Sequence, residues 1–105
     1  MAKIRAIIKR PDEEYGHMTH ISDSLENLQK TVGGYIEPVS FSTFTILCNE
    51  EGKIKGLPFN MRIGTFDVLV GTIIVLGVDG EEFTDCPIDF KTWKNIVRRW
   101  RGDGV

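Results

Sequence analysis

The segment from Asn49 to Arg62 gathers Asn49, Glu50, Lys53, Lys55, Asn60 and Arg62 around Gly52, Gly56 and Pro58. Segments of this composition hold cations and amides on a rigid scaffold, and the chemistry open to such a set is the binding of an anion. The ligand-binding candidates are Asn49, Lys55, Asn60 and Arg62 as donors, with Tyr35 or Phe59 supplying a ring for stacking. The same composition also describes an ordinary surface connection with solvated charges.

Other chemistries find less to work with. His17 and His20 are the only near pair of metal-ligand type, and on a strand they face opposite ways, so no metal site is expected. Cys48 and Cys86 lie 38 residues apart in sequence without a CxxC or a zinc spacing. Both read as small apolar fillers with reduced thiols, not as nucleophiles. Ser22, Ser24, Ser40 and Ser42 occupy capping or hairpin positions, and no GxSxG elbow occurs. The pairs Glu50-Glu51 and Glu81-Glu82 abut turns, where solvated charges belong. No Walker loop or GxGxxG is present, because Gly33-Gly34 closes a helix whereas those motifs open one. The sequence therefore points to a binder without catalytic residues or a cofactor.

The elements that must position the candidates follow from periodicity. Lys3 to Lys9 is a β-branched run stopped by Arg10-Pro11, and Tyr15 to Ile21 is a second strand beyond the turn Asp12-Glu13-Glu14. Asp23 and Glu26 resemble a capping box, and Leu25, Leu28 and Val32 form the stripe of a helix from about Ser24 to Gly33. Tyr35 to Phe41 and Phe44 to Cys48 suggest a hairpin. Gly56-Leu57-Pro58-Phe59-Asn60 is expected to break any strand. The almost continuously apolar stretch from Asp67 to Val78 should be a central strand or bent strand pair, with Gly71 at a bulge or bend. Asp79-Gly80 makes a hairpin turn.

Asp89 is the expected N-cap of a last helix that puts Trp93, Ile96, Val97 and Trp100 on one face and Lys91, Lys94, Arg98 and Arg101 on the other. Gly102 to Val105 is expected to fray. The pattern as a whole predicts one α+β domain over residues 1–105, with one mainly antiparallel sheet of five to six strands and two helices, one after the N-terminal strands and one C-terminal.

Composition sets the partners. Thirteen basic against fifteen acidic residues leave a net charge of −2, so no global field draws the chain to nucleic acid, and any such contact must use the basic face of the last helix. The longest apolar run, Val68 to Val78, holds two glycines and is too short for the roughly 20 residues of a membrane span. The start of the chain lacks a signal-peptide pattern, and a cytoplasmic, membrane-free protein is expected.

Three stretches carry a resemblance: Ile7-Ile8-Lys9-Arg10-Pro11, Leu28-Gln29-Lys30-Thr31-Val32-Gly33-Gly34-Tyr35-Ile36-Glu37, and the run from Cys48-Asn49-Glu50-Glu51-Gly52 through Lys53 to Asn60. Val70-Gly71-Thr72 before the Asp79-Gly80 hairpin is a fourth. In order along nearly the whole chain, they resemble a small phage and Firmicutes family, the domain of unknown function 3846. The resemblance implies an accessory product of phages or mobile elements and brings no catalytic residues with it. Where that family more often has a second proline after Leu57-Pro58, this chain has Phe59. Two functions are in view. One is sequestration of a small anionic, nucleotide-type ligand as a counter-defence sponge, with a pocket that an oligomer interface could complete. The other is inhibition or adaptation of a host protein through a sheet edge or loop tips.

Overall fold

A computed structural model describes residues 2–102. The strands are β1 (Lys3–Lys9), β2 (His17–Ser22), β3 (Ile36–Ser40), β4 (Thr45–Asn49), β5 (Phe59–Ile63), β6 (Asp67–Val70), β7 (Ile73–Asp79) and β8 (Glu82–Thr84), and the helices are α1 (Leu25–Val32) and α2 (Phe90–Arg101). The main sheet has six strands in the order β2-β1-β7-β4-β3, with β8 also paired to β7, and every pairing is antiparallel. This is the α+β architecture that periodicity indicated. A separate two-stranded sheet, β5-β6, accompanies it.

The period-two pattern of the central strands sorts their residues onto two cores. Ile4, Ala6, Leu47, Ile74 and Leu76 face Leu28 and Val32 of α1. Ile7, Ile46, Cys48, Ile73 and Val75 face the other way, onto Trp93 and Val97 of α2 and onto Met61, Ile63 and Leu69 of the small sheet. The sheet is thus covered by α1 on one side and by α2 with β5-β6 on the other, which is why β7 can be apolar on both faces.

Both helices have satisfied ends. Asp89 caps α2 by accepting from the Thr92 N–H at 2.8 Å. At α1 the cap is Ser24, which accepts from the Asn27 N–H at 3.2 Å. The Asp23–Glu26 reading is corrected by one residue, because Ser24 is the last with extended backbone before the helix. Gly33 ends α1 at φ 83°, as its position indicated.

Two expectations change in ways that create the site. The apolar stretch from Asp67 to Val78 is a pair of strands parted at Gly71, and its halves lie in different sheets, so only the second is central to the main one. Gly71 divides them at φ 72°, with its N–H donating to Pro58 O at 2.7 Å. Phe59 and Asn60, expected to break a strand, begin β5 instead. The predicted fraying at Gly102 to Val105 lies, for 103–105, outside the described residues, and Gly102 caps α2 at φ 94°.

Trp93 is completely buried, meets Phe44 and Trp100 edge-on, and donates its indole N–H to Tyr15 O at 2.8 Å. It is the peg between α2 and the sheet. Trp93→Ala should lower stability by about 3–5 kcal/mol. Urea unfolding reads this directly, and a loss below 1 kcal/mol would show that the core does not rest on this ring.

Candidate functional site

The site starts from an irregularity in the small sheet. Phe59 pairs with Val70 and Met61 with Leu69, so Asn60 is an extra residue in β5, a β-bulge. A bulge re-aims a side chain, and here it turns Asn60 inward beside the buried Met61, leaving it only 6% exposed. Its amide donates to Lys9 O and to Gly71 O, both at 2.8 Å. Its side-chain oxygen accepts from Lys9 Nζ at 2.8 Å, and its backbone carbonyl accepts from the same ammonium at 3.2 Å. Asn60 thus ties the end of β1, the Gly71 turn and the small sheet into one polar knot.

Lys9 arrives at this knot because it shares strand parity with Ile7, whose side chain is in the α2-side core. Its side chain is 2% exposed, and no carboxylate lies within 4.0 Å among the described residues. Burial of the charge pushes its pKa below the ordinary 10.5. Glu13, and more weakly Asp12 and Glu14, oppose that shift at longer range, whereas Arg101 adds to it. An ammonium has three donors and the protein fills two of them.

Lys9 and Asn60 line a cleft of about 270 Å³ whose other walls are Glu13, Glu14, Phe59, Met61, Arg62, Val97 and Arg101. Both acids in it are engaged. Glu13 accepts from the Arg10 N–H at 2.8 Å and pairs with His17 at 3.0 Å, and these contacts hold its carboxyl below the usual range, the backbone bond first. Glu14 accepts from Arg101 at 3.1 Å. Arg62, exposed on β5, forms no hydrogen bond or ion pair among the described residues. The cleft therefore holds two cations without a directly bonded acid, Lys9 in its floor and Arg62 on its wall, beside the half-exposed ring of Phe59.

A family model described as Domain of unknown function (DUF3846) matches residues 4–98. The chain belongs to that family. The matched stretch contains Lys9, Phe59, Asn60 and Arg62, whereas Arg101 lies beyond it. No curated protein and no solved structure matches the chain.

Of the six residues singled out in this DUF3846 chain, Phe59, Asn60 and Arg62 come together in the cleft. Tyr35 and Lys55 lie in a separate open groove with Gln29, Lys30 and Glu51, and Lys55 faces Glu51 at 3.9 Å. Asn49 is buried and already bonded, donating to Val32 O at 3.2 Å and accepting from the Glu51 N–H at 2.8 Å. Lys9 was missed. Alternation in β1 gave no signal for it, since Lys9 shares its face with the exposed Lys3 and Arg5 as well as with the buried Ile7.

The basic face of α2 also finds an internal use. Lys94, Arg98 and Arg101 lie 5.6, 5.4 and 5.7 Å from the centroid of the Tyr15 ring, and Arg98 Nε donates to its hydroxyl at 2.9 Å. These cations hold the Tyr15 turn against α2. Cys48 and Cys86 are buried, and burial pushes the Cys48 thiol up to about 11 and Cys86 in the same direction, which keeps both protonated at neutral pH.

Two outcomes test the knot. Asn60→Ala strips an acceptor from a buried ammonium and a donor from two carbonyls, and should cost at least ~1–3 kcal/mol in chemical denaturation. A neutral result would mean that water replaces the amide. The second concerns pH. Because the folded pKa of Lys9 is lowered, the unfolded chain binds more protons between that value and 10.5, so stability contributed by this group rises with pH through that window. The burial cost is fully present below it. Wild-type protein should gain stability relative to Lys9→Met as pH climbs toward 10.5, and parallel curves for the two proteins would contradict the assignment.

Proposed function

We propose that this protein binds and sequesters a small anionic, nucleotide-type ligand in the cleft between Lys9 and Arg62, without turning it over. The observation that carries the reading is the Lys9 ammonium, which is almost fully buried, lines the cleft, and among the described residues is bonded only to neutral oxygens of Asn60, with its third donor unfilled. A buried charge of this kind is costly unless something of opposite sign meets it. A phosphate or carboxylate in the cleft would supply that charge and accept the third N–H, and Arg62 would meet it from the wall. Phe59, 55% exposed, gives a planar partner for a base or other flat ring.

The remaining parts of the reading follow from this one. A binder of this kind, in the phage or mobile-element setting that its family resemblance suggests, would act in the host cytoplasm by withholding a signal nucleotide, and would need no cofactor. A second reading has its own support. Ile54 and Phe66 are 86% and 76% exposed, and β2 and β3 are the outer strands of the main sheet. Large exposed side chains and free strand edges suit an inhibitor or adaptor that docks on a host protein, or a second copy of this chain.

Thermal unfolding against nucleoside mono-, di- and triphosphates and cyclic nucleotides separates the two readings. A ligand at 100 times its Kd adds about 2.7 kcal/mol, enough to move Tm by roughly 10 °C or more in a domain of this size. The shift should vanish in Lys9→Met and shrink in Arg62→Ala, whose side chain is exposed and whose loss leaves the core intact. An unchanged Tm across the panel would end the nucleotide reading and leave the docking one.

A further inference from the structure

The Lys9 nitrogen has tetrahedral geometry: Cε, two positions directed to Asn60 oxygens at 2.8 and 3.2 Å, and a third that meets no acceptor among the described residues. Loss of one proton would leave both Asn60 bonds intact and put a lone pair in that third position. Lys9 is one of the residues that line the cleft. Lys9 is also the one fully buried lysine of the seven in the chain; the others are exposed or, at Lys94, half-buried. Burial lowers the cost of the neutral amine, with Glu13, Asp12 and Glu14 opposing and Arg101 assisting.

We propose that Lys9 is a nucleophilic amine that captures an aldehyde or ketone carrying an anionic group. This rests on the anion-binding reading above, with Arg62 holding the anion while the carbonyl carbon meets Nζ. The lone pair of the amine attacks that carbon, forming the C–N bond as the carbonyl π pair moves to oxygen. One proton passes from nitrogen to that oxygen, through the Glu13 carboxylate in the same cleft or through water. The proton that the Lys9 ammonium gave up to water on becoming the amine comes back to the hydroxyl, which leaves as water while the nitrogen lone pair closes the C=N bond. Amine, carbonyl and one proton become iminium and water with no oxidant or reductant, and the iminium keeps one N–H for Asn60.

The test uses the full chain with pyridoxal 5′-phosphate, which joins an aldehyde to a phosphate and a flat ring, followed by borohydride reduction and peptide mass mapping. One adduct per chain, on Lys9, is expected, at a pH where the exposed lysines stay largely unlabelled. Arg62→Ala should slow labelling of Lys9 by this probe roughly twofold to fivefold, the worth of one exposed charge pair, and leave labelling by uncharged propanal unchanged. Because Arg62 is exposed, that comparison does not depend on a core variant folding. Adducts spread over Lys3, Lys30, Lys53, Lys55 and Lys91 with Lys9 spared would overturn the proposal. If Lys9 is spared while nucleotides still raise Tm, carbonyl capture fails and anion binding stands; if neither occurs, both fail.

Discussion

The structure on the α2 side depends on one reciprocal contact, in which Lys9 and Asn60 each donate to the other across two sheets. A β-bulge aims the asparagine, and strand parity aims the lysine. The contact satisfies backbone carbonyls at Lys9 and Gly71, near the place where the β1-β7 ladder ends with Lys9 opposite Ile73. Without a partner there, those carbonyls would be buried and unpaired, and leaving them so costs more than making the bonds gains. The small sheet is therefore fastened by polar chemistry at one end and by Met61, Ile63 and Leu69 in the core along its length.

That arrangement leaves an electrostatic remainder. The knot satisfies every side-chain atom of Asn60 and only two of the three Lys9 donors, and it does so with neutral oxygens. The acids nearby are held elsewhere, Glu13 by Arg10 and His17, Glu14 by Arg101. Of the positive charges in the cleft, Arg101 is thus balanced at contact, whereas Lys9 and Arg62 meet no acid within 4.0 Å among the described residues. A scaffold built only for stability would more simply put an apolar side chain at Lys9, since replacing a buried charge by a well-packed apolar residue is often neutral or favourable.

Much of this architecture was legible in the sequence, and the reasons are local. The Asp79-Gly80 hairpin, the Gly33 terminus of α1, the Asp89 cap of α2 and the stripe through Trp93 and Val97 all follow from side-chain periodicity and from backbone angles that few residues accept. The two inward faces of β7 follow from its unbroken apolar run. What was misread was also local in form but long-range in cause. The stretch from Asp67 to Val78 reads as a strand or bent strand pair in the centre of one sheet, because periodicity cannot show that its halves pair with different partners, β6 with β5 and β7 with β1 and β4.

The candidate site divides along the same line. Residue types alone marked Phe59, Asn60 and Arg62 as chemically apt, because that is a property of a short stretch of chain, whereas nothing local set Lys9 apart from the exposed Lys3 and Arg5 on its face of β1. Only the tertiary structure separated Tyr35 and Lys55 from them, spent Asn49 on the end of α1, and brought Lys9 to Asn60 across 51 residues. Such a meeting depends on a bulge, and a bulge is a disagreement in register between two strands. Neither strand carries it alone, so it exists only once both are paired and packed.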